Sequence, residues 1–421
     1  RRQQDGAGRQ AVLGRDQGEL MRRVRTLRER TFSRAPGCCA FTLLRGQKGQ
    51  VFLALSEANT GRLDLYCWDG GDWVQLRSLP GLQLMEPRDA SISPFPVQLN
   101  FDDPLHGQLV LTAFSAEAQR GVLGRGYMLL AVNYDGSLAA RAPLPDCIGP
   151  PFISRFPNGD FLMCAGPRDV YRLSEQGEIR WHYRHRAWRK TVDEPGVLFN
   201  AMAMPNERTA IFLHSAVPGS AQVMELDRDG RLAEKSSWMA ATREPPVFLP
   251  VPEGFWAETW LPVMDRPEET SFQRLHISNA GSLLERQEIR VSAGHPPDRA
   301  CFTEESVLFH VPFTSELVRC SFDGRAQVRY LHPSADASGI AGNVPLISQG
   351  ERGIIAMSGF TGHRGNFSIF GFLPDGQADW TIRRKWCYKG NRRMASSGGQ
   401  LLLACSTSYE EMTVTAFQLP T

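Results

Sequence analysis

The sequence predicts an all-β protein folded as a closed β-propeller, in which four-stranded sheets pack side by side around a common axis. Three observations support this prediction. Short apolar runs rich in β-forming residues recur along the chain, two series of tight turns separate these runs, and both series repeat about every 50 residues. A β-only repeat of this length is typical of propeller blades. The repeats favour eight blades, with seven as the alternative.

Composition excludes several other classes of protein. The chain has 421 residues, of which 42% are hydrophobic and 22% charged, as in ordinary globular proteins. A net charge of +2 disfavours nucleic acid as a partner. No apolar run reaches the roughly 18 residues that span a bilayer, and residues 1–30 are rich in arginine without the apolar segment of a signal peptide. We therefore expect neither a membrane span nor a secretion signal.

The nine cysteines show no metal-binding spacing. Four of them stand in apolar, strand-like runs, namely Cys164, Cys301, Cys320 and Cys405. In such runs a free thiol packs as a small hydrophobic group. Reduced cysteines are typical of the cytoplasm, which is the location we expect.

The first series of turns joins the first and second strands of each repeat. In each copy a short polar or glycine-containing turn precedes an apolar run, as in FPNGDFLMC at 156–164. The eight copies occupy 45–55, 104–114, 156–164, 204–214, 251–260, 302–310, 348–357 and 396–405. Their number is the reason for predicting eight blades.

The second series joins the third and fourth strands. Two-residue turns that match the twist of a hairpin need positive φ, which glycine adopts freely and aspartate tolerates. The copies are Asp69-Gly70, Asp135-Gly136, Gln176-Gly177, Asp229-Gly230, Ala280-Gly281, Asp323-Gly324 and Asp375-Gly376. Each repeat is therefore predicted to be a four-stranded meander, which is the unit of a propeller blade.

The eighth repeat lacks a second turn before Thr421. Near the start of the sequence, an Asp5-Gly6 turn precedes a strand-like run at 7–13. We predict that this run supplies the fourth strand of the last blade, because pairing the two ends removes two open sheet edges. Residues 1–14 are accordingly assigned to this closing strand, and residues 37–421 to the propeller.

Residues 15–36 are predicted to form a basic amphipathic helix and a linker. Asp16 and Glu19 have the spacing of a capping box, and apolar residues recur at helical intervals from Leu20 to Leu27. The arginines of this segment are Arg22, Arg23, Arg25, Arg28 and Arg30. They form either the solvated face of a helix that lies on the propeller, or a docking surface for an acidic partner or nucleic acid.

Two segments, GEIRW at 177–181 and GQADW at 376–380, resemble the repeats of the quinoprotein-like (PQQ-like) β-propeller superfamily. Its members commonly have eight blades, and a glycine-containing turn leads to a tryptophan on the fourth strand that docks against the neighbouring blade. The resemblance covers most of residues 40–421 as architecture. It implies this docking role for Trp181 and Trp380.

The resemblance extends to one feature of quinone-dependent enzymes. Cys38 and Cys39 are adjacent, and quinoprotein alcohol dehydrogenases carry a vicinal disulfide near their quinone. The sequence lacks the Ala-x-Asp and Thr-Gly elements of the fuller repeat pattern, and no set of calcium ligands can be assigned beside the cysteine pair. We therefore expect a quinoprotein-like propeller without a quinone or another cofactor.

Binding residues are predicted at one end of the sheets. The tight turns of both series share one end, which we call the turn face, and the longer connections share the other, the loop face. Loops on a rigid scaffold usually carry binding chemistry. The residues nominated at the loop face are Glu86, Arg88, Asp89, Glu194, Arg243, Glu244, His295, Asp298, Arg299, Asn343, Arg392 and Arg393. They suit a polar or peptide ligand at the axial opening, or else they cap strands and pair with one another.

No catalytic or metal-binding motif is assigned. The sequence lacks a nucleophile elbow, a phosphate-binding loop and an HExxH motif, and HYRH at 182–185 alternates along a predicted strand. Three histidines stand at or beyond the ends of second strands, namely His214, His310 and His363. Because their blades are not all neighbours, we expect strand-end histidines rather than a metal site.

These expectations favour a noncatalytic scaffold that presents its charged loop face, and the basic helix, to a protein partner. Bacterial multiprotein assemblies often include such propellers. The alternative is an enzyme, either a hydrolase, a lyase or a quinoprotein-like oxidoreductase, that acts on a small polar substrate at the axial opening. A small-molecule ligand therefore stays open beside a protein partner.

Overall fold

A computed structural model describes residues 24–33, 41–45, 50–57, 61–84, 100–103, 106–115, 126–146, 151–166, 168–185, 198–214, 221–233, 241–242, 246–263, 265–292, 297, 300–302, 305–311, 316–325, 327–331, 346–348, 354–357, 367–373, 377–384, 392–406 and 411–420. In these residues the secondary structure consists of β-strands, numbered β1 to β33 in chain order, without a helix. This part of the chain accordingly contains no helix suited to crossing a membrane.

The strands form antiparallel sheets, which we number from one to eight along the chain. The first sheet contains β2 (Phe41–Arg45), β3 (Val51–Glu57), β4 (Arg62–Trp68) and β5 (Trp73–Pro80). The second contains β6 (Leu82–Leu84), β7 (Asn100–Asp103), β8 (Gln108–Ser115), β9 (Tyr127–Asn133) and β10 (Leu138–Pro143). The third contains β11 (Phe152–Arg155), β12 (Phe161–Ala165), β13 (Asp169–Leu173) and β14 (Ile179–Arg184). The fourth contains β15 (Leu198–Ala203), β16 (Thr209–His214), β17 (Ala221–Leu226) and β18 (Ala241–Thr242).

Each of the remaining four sheets contains four antiparallel strands. The fifth contains β19 (Val247–Val251), β20 (Gly254–Val263), β21 (Arg266–Ser278) and β22 (Leu283–Ser292). The sixth contains β23 (Ala300–Phe302), β24 (Ser306–His310), β25 (Glu316–Ser321) and β26 (Gln327–Leu331). The seventh contains β27 (Leu346–Ser348), β28 (Ile354–Met357), β29 (Phe367–Phe372) and β30 (Ala378–Arg384). The eighth contains β31 (Arg392–Ser397), β32 (Gln400–Ser406), β33 (Glu411–Gln418) and β1 (Arg25–Ser33).

The first six copies of the second series separate the last two strands of the first six sheets, as the sequence predicts, and Asp375-Gly376 of the seventh lies outside the described residues. In the first series, the turns at 157–159 and 205–207 lie where the sequence predicts them, whereas 46–49 and 349–353 lie outside the described residues. At Asp135-Gly136, Gly136 has a φ of 86°, and the hydroxyl and backbone amide of Ser137 both donate to Asp135. These two hydrogen bonds lower the pKa of the exposed Asp135 carboxyl. In the first series, the turn at 205–207 contains Glu207, a non-glycine residue with a positive φ of 63°.

The eighth sheet takes its fourth strand from the N-terminal part of the chain. β1 pairs with β33 from Arg25, opposite Gln418, to Ser33, opposite Glu411. The sequence predicts a closing strand from this part of the chain at 7–13. That segment lies outside the described residues, and the position it was assigned is occupied by β1.

The predicted helix over 16–30 is wrong for residues 25–30, which belong to strand β1. Residues 16–23 lie outside the described residues. The structure buries Phe32 and leaves Leu27 largely exposed, so the buried side chains do not follow the helical spacing. Pairing with the open edge of β33 satisfies backbone groups along nine residues, and this tertiary pairing outweighs the local helix propensity of an arginine-rich segment.

Consecutive sheets share hydrophobic clusters. Buried side chains of the first and second sheets form one cluster, and equivalent clusters join sheets two to six in succession and sheets seven and eight. A further cluster combines Phe32 and Val414 of the eighth sheet with Leu53 of the first. The sixth and seventh sheets contact one another through β23 and β27. This arrangement is consistent with a β-propeller, because each sheet buries its apolar faces against its neighbours.

The two tryptophans singled out by the resemblance contact the following sheet. Trp181, on β14 of the third sheet, donates from its indole to the carbonyl of Arg228 in the fourth, at 3.0 Å. Its ring also lies against Gly230 in the same turn. Trp380, on β30 of the seventh sheet, packs in the cluster shared with the eighth. Both therefore dock in the manner that the resemblance implies.

Cys301 lies on β23, and three further cysteines of apolar strands, Cys164, Cys320 and Cys405, are buried. Burial raises the pKa of the Cys320 thiol to about 11. These thiols are therefore core groups, as the sequence predicts.

We expect Phe32→Ala to lower the free energy of unfolding of the whole body by about 3 kcal/mol, because truncating a buried phenylalanine leaves a cavity between two sheets. Urea unfolding followed by far-UV circular dichroism measures this change. Thr31→Ala, at the exposed neighbouring position, serves as the control and should change the free energy by less than about 0.5 kcal/mol. A separate early transition in Phe32→Ala, with the main transition unchanged, would show that β1 is not part of the cooperative unit.

We expect Gly230→Ala to be more destabilising than Gly70→Ala. Both glycines have positive φ, at 79° and 95°, which costs an alanine about 1–2 kcal/mol. A Cβ at Gly230 would also lie 2.6 Å from Trp181 Cδ2, whereas nothing lies within 4 Å of one at Gly70. The collision should add about 1–3 kcal/mol in urea unfolding. Equal losses in the two variants would contradict the docking of Trp181.

Candidate functional site

Most residues nominated at the loop face lie outside the described residues. These are Glu86, Arg88, Asp89, Glu194, Arg243, Glu244, His295, Asp298, Arg299 and Asn343. Arg392 and Arg393 are the first two residues of β31, opposite Cys405 and Ala404 of β32. Their backbone lies where the chain enters the eighth sheet, and a binding role for them stays a prediction.

The arginines of the predicted helix are placed differently. Arg22 and Arg23 lie outside the described residues, and Arg25, Arg28 and Arg30 lie on β1.

Two of them attach β1 to the first sheet. Arg28 pairs with Asp72 at 2.7 Å, and Arg30 donates to the carbonyl of Trp73 at 2.8 Å. The Arg30 guanidinium also lies 4.9 Å from the ring centre of Phe32. Arg28 and Arg30 therefore join the eighth sheet to the first, instead of forming the basic face of a helix.

Two of the three predicted strand-end histidines lie on described strands. His214 and His310 are the last residues of β16 and β24, and His363 lies outside the described residues. Among the side chains that the structure describes, no group of three metal-ligating residues is present. In the HYRH segment, His182 instead contacts Asp169 at 2.8 Å and stacks on Tyr171 with ring centres 4.3 Å apart.

Two arginines, the buried Arg172 and the partly exposed Arg208, link neighbouring sheets at the turn face. Arg172, on β13 of the third sheet, donates to the carbonyl of Arg228 in the fourth at 3.4 Å. Arg208 of the fourth sheet pairs with the buried Glu225 at 3.1 Å and donates to the carbonyl of Ala280 in the fifth at 3.2 Å. Because each arginine joins an ion pair to a turn of the next sheet, these charges hold the sheets together.

A group of charged and aromatic side chains lies on one face of the fifth sheet. This fifth-sheet cluster consists of Trp256, Glu258, Arg274 and His276. Across β20 and β21, Trp256 is opposite His276 and Glu258 is opposite Arg274, so all four share a face. Trp260 and Phe272, farther along the same face, pack against the sixth sheet. The cluster therefore faces the sixth sheet, at the end nearer the turn face.

The four side chains contact one another directly. Arg274 Nε lies 3.1 Å from Glu258 Oε1, and the Arg274 guanidinium lies 4.5 Å from the ring centre of Trp256. The rings of Trp256 and His276 stack with their centres 4.8 Å apart and their planes at 21°. The arrangement combines an ion pair, a cation–π contact and an aromatic stack.

Burial controls the electrostatics of this cluster. Glu258 is 5% exposed and Arg274 is 7% exposed. Burial raises the pKa of the Glu258 carboxyl, and the charge and hydrogen bond of Arg274 offset only part of this increase. The carboxyl therefore holds its proton to a higher pH than an exposed glutamate does.

The opposite face of the same sheet carries a carboxyl shifted in the other direction. Glu288 accepts hydrogen bonds from Ser271 at 2.9 Å and from Arg290 at 3.0 Å. Partial burial raises its pKa, but the hydrogen bonds from Arg290 and Ser271 and the charges of Arg290 and Arg286 outweigh burial, and the net pKa is lowered. One sheet therefore holds two carboxyls with opposite shifts.

The sequence analysis missed the fifth-sheet cluster because it looked for binding residues only at the loop face. The alternation of side chains along β20 could have indicated part of it. On β20, Trp256 and Glu258 alternate with Phe255 and Ala257, which places a charge on a face that a propeller normally packs with apolar groups. The pairing of Glu258 with Arg274 could not be found in this way, because no sequence rule fixes the register between two long strands.

We expect Glu258→Gln and Glu288→Gln to change the pH dependence of stability with opposite signs. With a raised folded pKa, Glu258 binds more protons in the folded state than in the unfolded state, so its contribution falls as pH rises from the ordinary glutamate range. With a lowered folded pKa, the contribution of Glu288 rises with pH and is lost on acidification.

Urea unfolding between about pH 3 and pH 7 tests both expectations, because the contribution of Glu288 is lost below the ordinary glutamate pKa of about 4.3 and that of Glu258 changes above it. The stability of the wild type relative to Glu258→Gln should decrease with pH, and that relative to Glu288→Gln should increase. Parallel curves for the two variants would contradict the assigned environments.

No protein-family model and no curated protein matches this sequence. Among solved structures, the chain is similar to the C-terminal WD40 domain of Sif2, with a TM-score of 0.50 and 12% identity over 95% of this chain and 99% of that one. It is also similar to hydrazine synthase of Kuenenia stuttgartiensis, with a TM-score of 0.41 and 12% identity over 74% of this chain and 92% of that one.

A third similar structure is a putative 6-phosphogluconolactonase of Bacteroides uniformis, with a TM-score of 0.38 and 13% identity over 68% of this chain and 82% of that one. The likeness to the WD40 domain extends over nearly the whole of both chains. The comparison therefore supports a propeller-like fold for this chain.

Proposed function

We propose that the chain is a closed, eight-bladed β-propeller that binds a protein partner through its loop face as a noncatalytic part of a multiprotein assembly in the cytoplasm. Two features support closure. The eighth sheet is built from β1 and from the last three strands, and its core is shared with the first sheet. A quinoprotein-like relationship without the quinone is part of the proposal, supported by the docking of Trp181 and Trp380.

The observation that carries the proposed function is how the charged groups are used. At the turn face, Arg172 and Arg208 form ion pairs and bond to the turns of neighbouring sheets. Their charges are therefore paired with carboxylates of the body itself. The loop face instead receives long charged connections, and Arg392 and Arg393 stand at the start of β31. Arginine is enriched at the energetic centres of protein interfaces, so this end suits a partner.

Arg392→Ala combined with Arg393→Ala is expected to weaken partner binding at least tenfold, since truncating an arginine at the centre of an interface typically costs more than 1 kcal/mol. The tagged full chain is purified from its source cells, and the mass of the native complex is measured. Arg180→Ala combined with Arg231→Ala, at two exposed positions near the turn face, is the matched control and should retain the partner.

Two outcomes oppose the proposal. A stoichiometric complex that survives the Arg392 and Arg393 substitutions would remove the loop face from the interface. A chain that purifies alone with a metal ion or a chromophore would favour the alternative of an enzyme acting at the axial opening.

A further inference from the structure

The fifth sheet presents two rows of side chains toward the sixth sheet, which together we call the shelf. One row crosses the four strands as Val247, Glu258, Arg274 and Gln287, and the next as Leu249, Trp256, His276 and Glu285. Residues opposite one another in a sheet share a face, so the shelf is continuous from β19 to β22.

The first strand supplies exposed apolar groups to the shelf. Val247 is 52% exposed and Leu249 is 38% exposed, although the neighbouring Phe248 packs between the fourth and fifth sheets. Beside them, Trp256 is only partly buried. The sixth sheet covers Trp260 and Phe272 on this face but leaves the side chains of Val247 and Leu249 in contact with water. Exposed aliphatic groups beside a tryptophan are typical of recognition surfaces.

The middle of the shelf contains polar atoms that lack hydrogen bonds. His276 Nε2 and Gln287 Oε1 are buried, and neither has a partner among the described residues. A buried polar group without a partner costs about 1–3 kcal/mol, and native proteins retain few of them. Because both atoms are shielded from solvent, a ligand can reach them only when the side chains that cover them move.

The outer end of the shelf is acidic. Glu285 is exposed and accepts a hydrogen bond from Gln287 Nε2 at 3.1 Å. That contact is to a neutral amide, whereas the other carboxyl of the shelf, Glu258, is paired with Arg274. A basic group on the ligand would therefore complement Glu285.

We propose that the shelf binds an extended peptide segment that carries an apolar side chain and, about four residues further along, a lysine or arginine. The spacing follows from geometry. Three steps between neighbouring strands separate β19 from β22 by roughly 14 Å, and an extended peptide advances about 3.4 Å per residue. The apolar side chain rests on Val247, Leu249 and Trp256, the peptide crosses the partly exposed ring of His276, and the basic side chain reaches Glu285.

This inference rests on the proposed protein-binding function and gives the partner segment its chemistry. Its location differs from that of the interface at the loop face, so the two are tested separately. Loss of the native complex on substitution of Arg392 and Arg393 reports on the loop face alone. Binding of synthetic peptides to the purified chain reports on the shelf alone.

The test uses the purified full chain and an array of capped synthetic heptapeptides in which an apolar residue and a charged residue are placed at every spacing. Bound peptides should have an apolar residue four positions before a lysine or arginine. Leu249→Ser should weaken their binding at least tenfold, and Glu285→Lys should shift the preference at the second position to aspartate or glutamate. Both positions are exposed, so neither variant should unfold, and thermal melting checks this.

Matched controls are Val74→Ser and Glu178→Lys, which change an exposed valine of the first sheet and an exposed glutamate of the third in the same ways. Neither should alter peptide binding. The proposal is overturned by an array without bound peptides, by peptides that bind Leu249→Ser and Glu285→Lys as they bind the wild type, or by equal losses in the control variants.

Discussion

Face-to-face packing of sheets is the constraint on which the rest of this structure depends. A meander of four strands has two faces, and in most of these sheets both are apolar, so a single sheet in water would leave one or both uncovered. The clusters that combine Leu53 with Val414, or Phe212 with Phe255, bury these faces between neighbours. Stability is therefore a property of the series of sheets, as in other repeat-built proteins, and no sheet contributes a complete core of its own.

Several polar groups in this packing follow one rule, which is that they join one sheet to the next. Arg172 and Arg208 do so at the turn face, and Trp181 adds an indole hydrogen bond to the same row of turns. The fifth sheet departs from this rule. Glu258 and Arg274 pair within their own sheet, and the His276 and Gln287 atoms beside them have no partner in the described residues. These polar groups therefore do not contribute to the contact between sheets, which is why the proposed peptide site is placed beside them.

The repeat could be predicted from the sequence because its signals are local. Turns such as Asp135-Gly136 need a residue with positive φ, and a glycine in the sequence indicates where such a turn can form. The closing strand could not be predicted correctly by the same means. An arginine-rich segment with leucines at helical intervals favours a helix on its own, and only the open edge of β33, far away in the chain, makes it a strand.

The candidate site was less predictable for the same physical reason. Alternation along β20 places Trp256 and Glu258 on one face, but their partners Arg274 and His276 follow only from the register with β21. That register depends on packing against the sixth sheet through Trp260 and Phe272. The exposure of Val247 and Leu249 could not be predicted either, because an apolar run such as Val247 to Leu249 is typical of a strand whose two faces are both covered.

The pairing of β1 with β33 in the eighth sheet affects how the chain folds during biosynthesis. Glu29 accepts a hydrogen bond from Thr415, a residue 386 positions later in the chain. While the ribosome is still translating, β1 has no strand to pair with, and the first sheet lacks the neighbour that buries Leu53. Contacts of such long sequence separation form slowly, because closing a large loop costs conformational entropy before the contacts can stabilise it. In the nascent chain, β1 therefore lacks a paired strand and the first sheet has one uncovered face until β31, β32 and β33 have emerged from the ribosome. A chaperone would be needed during this interval.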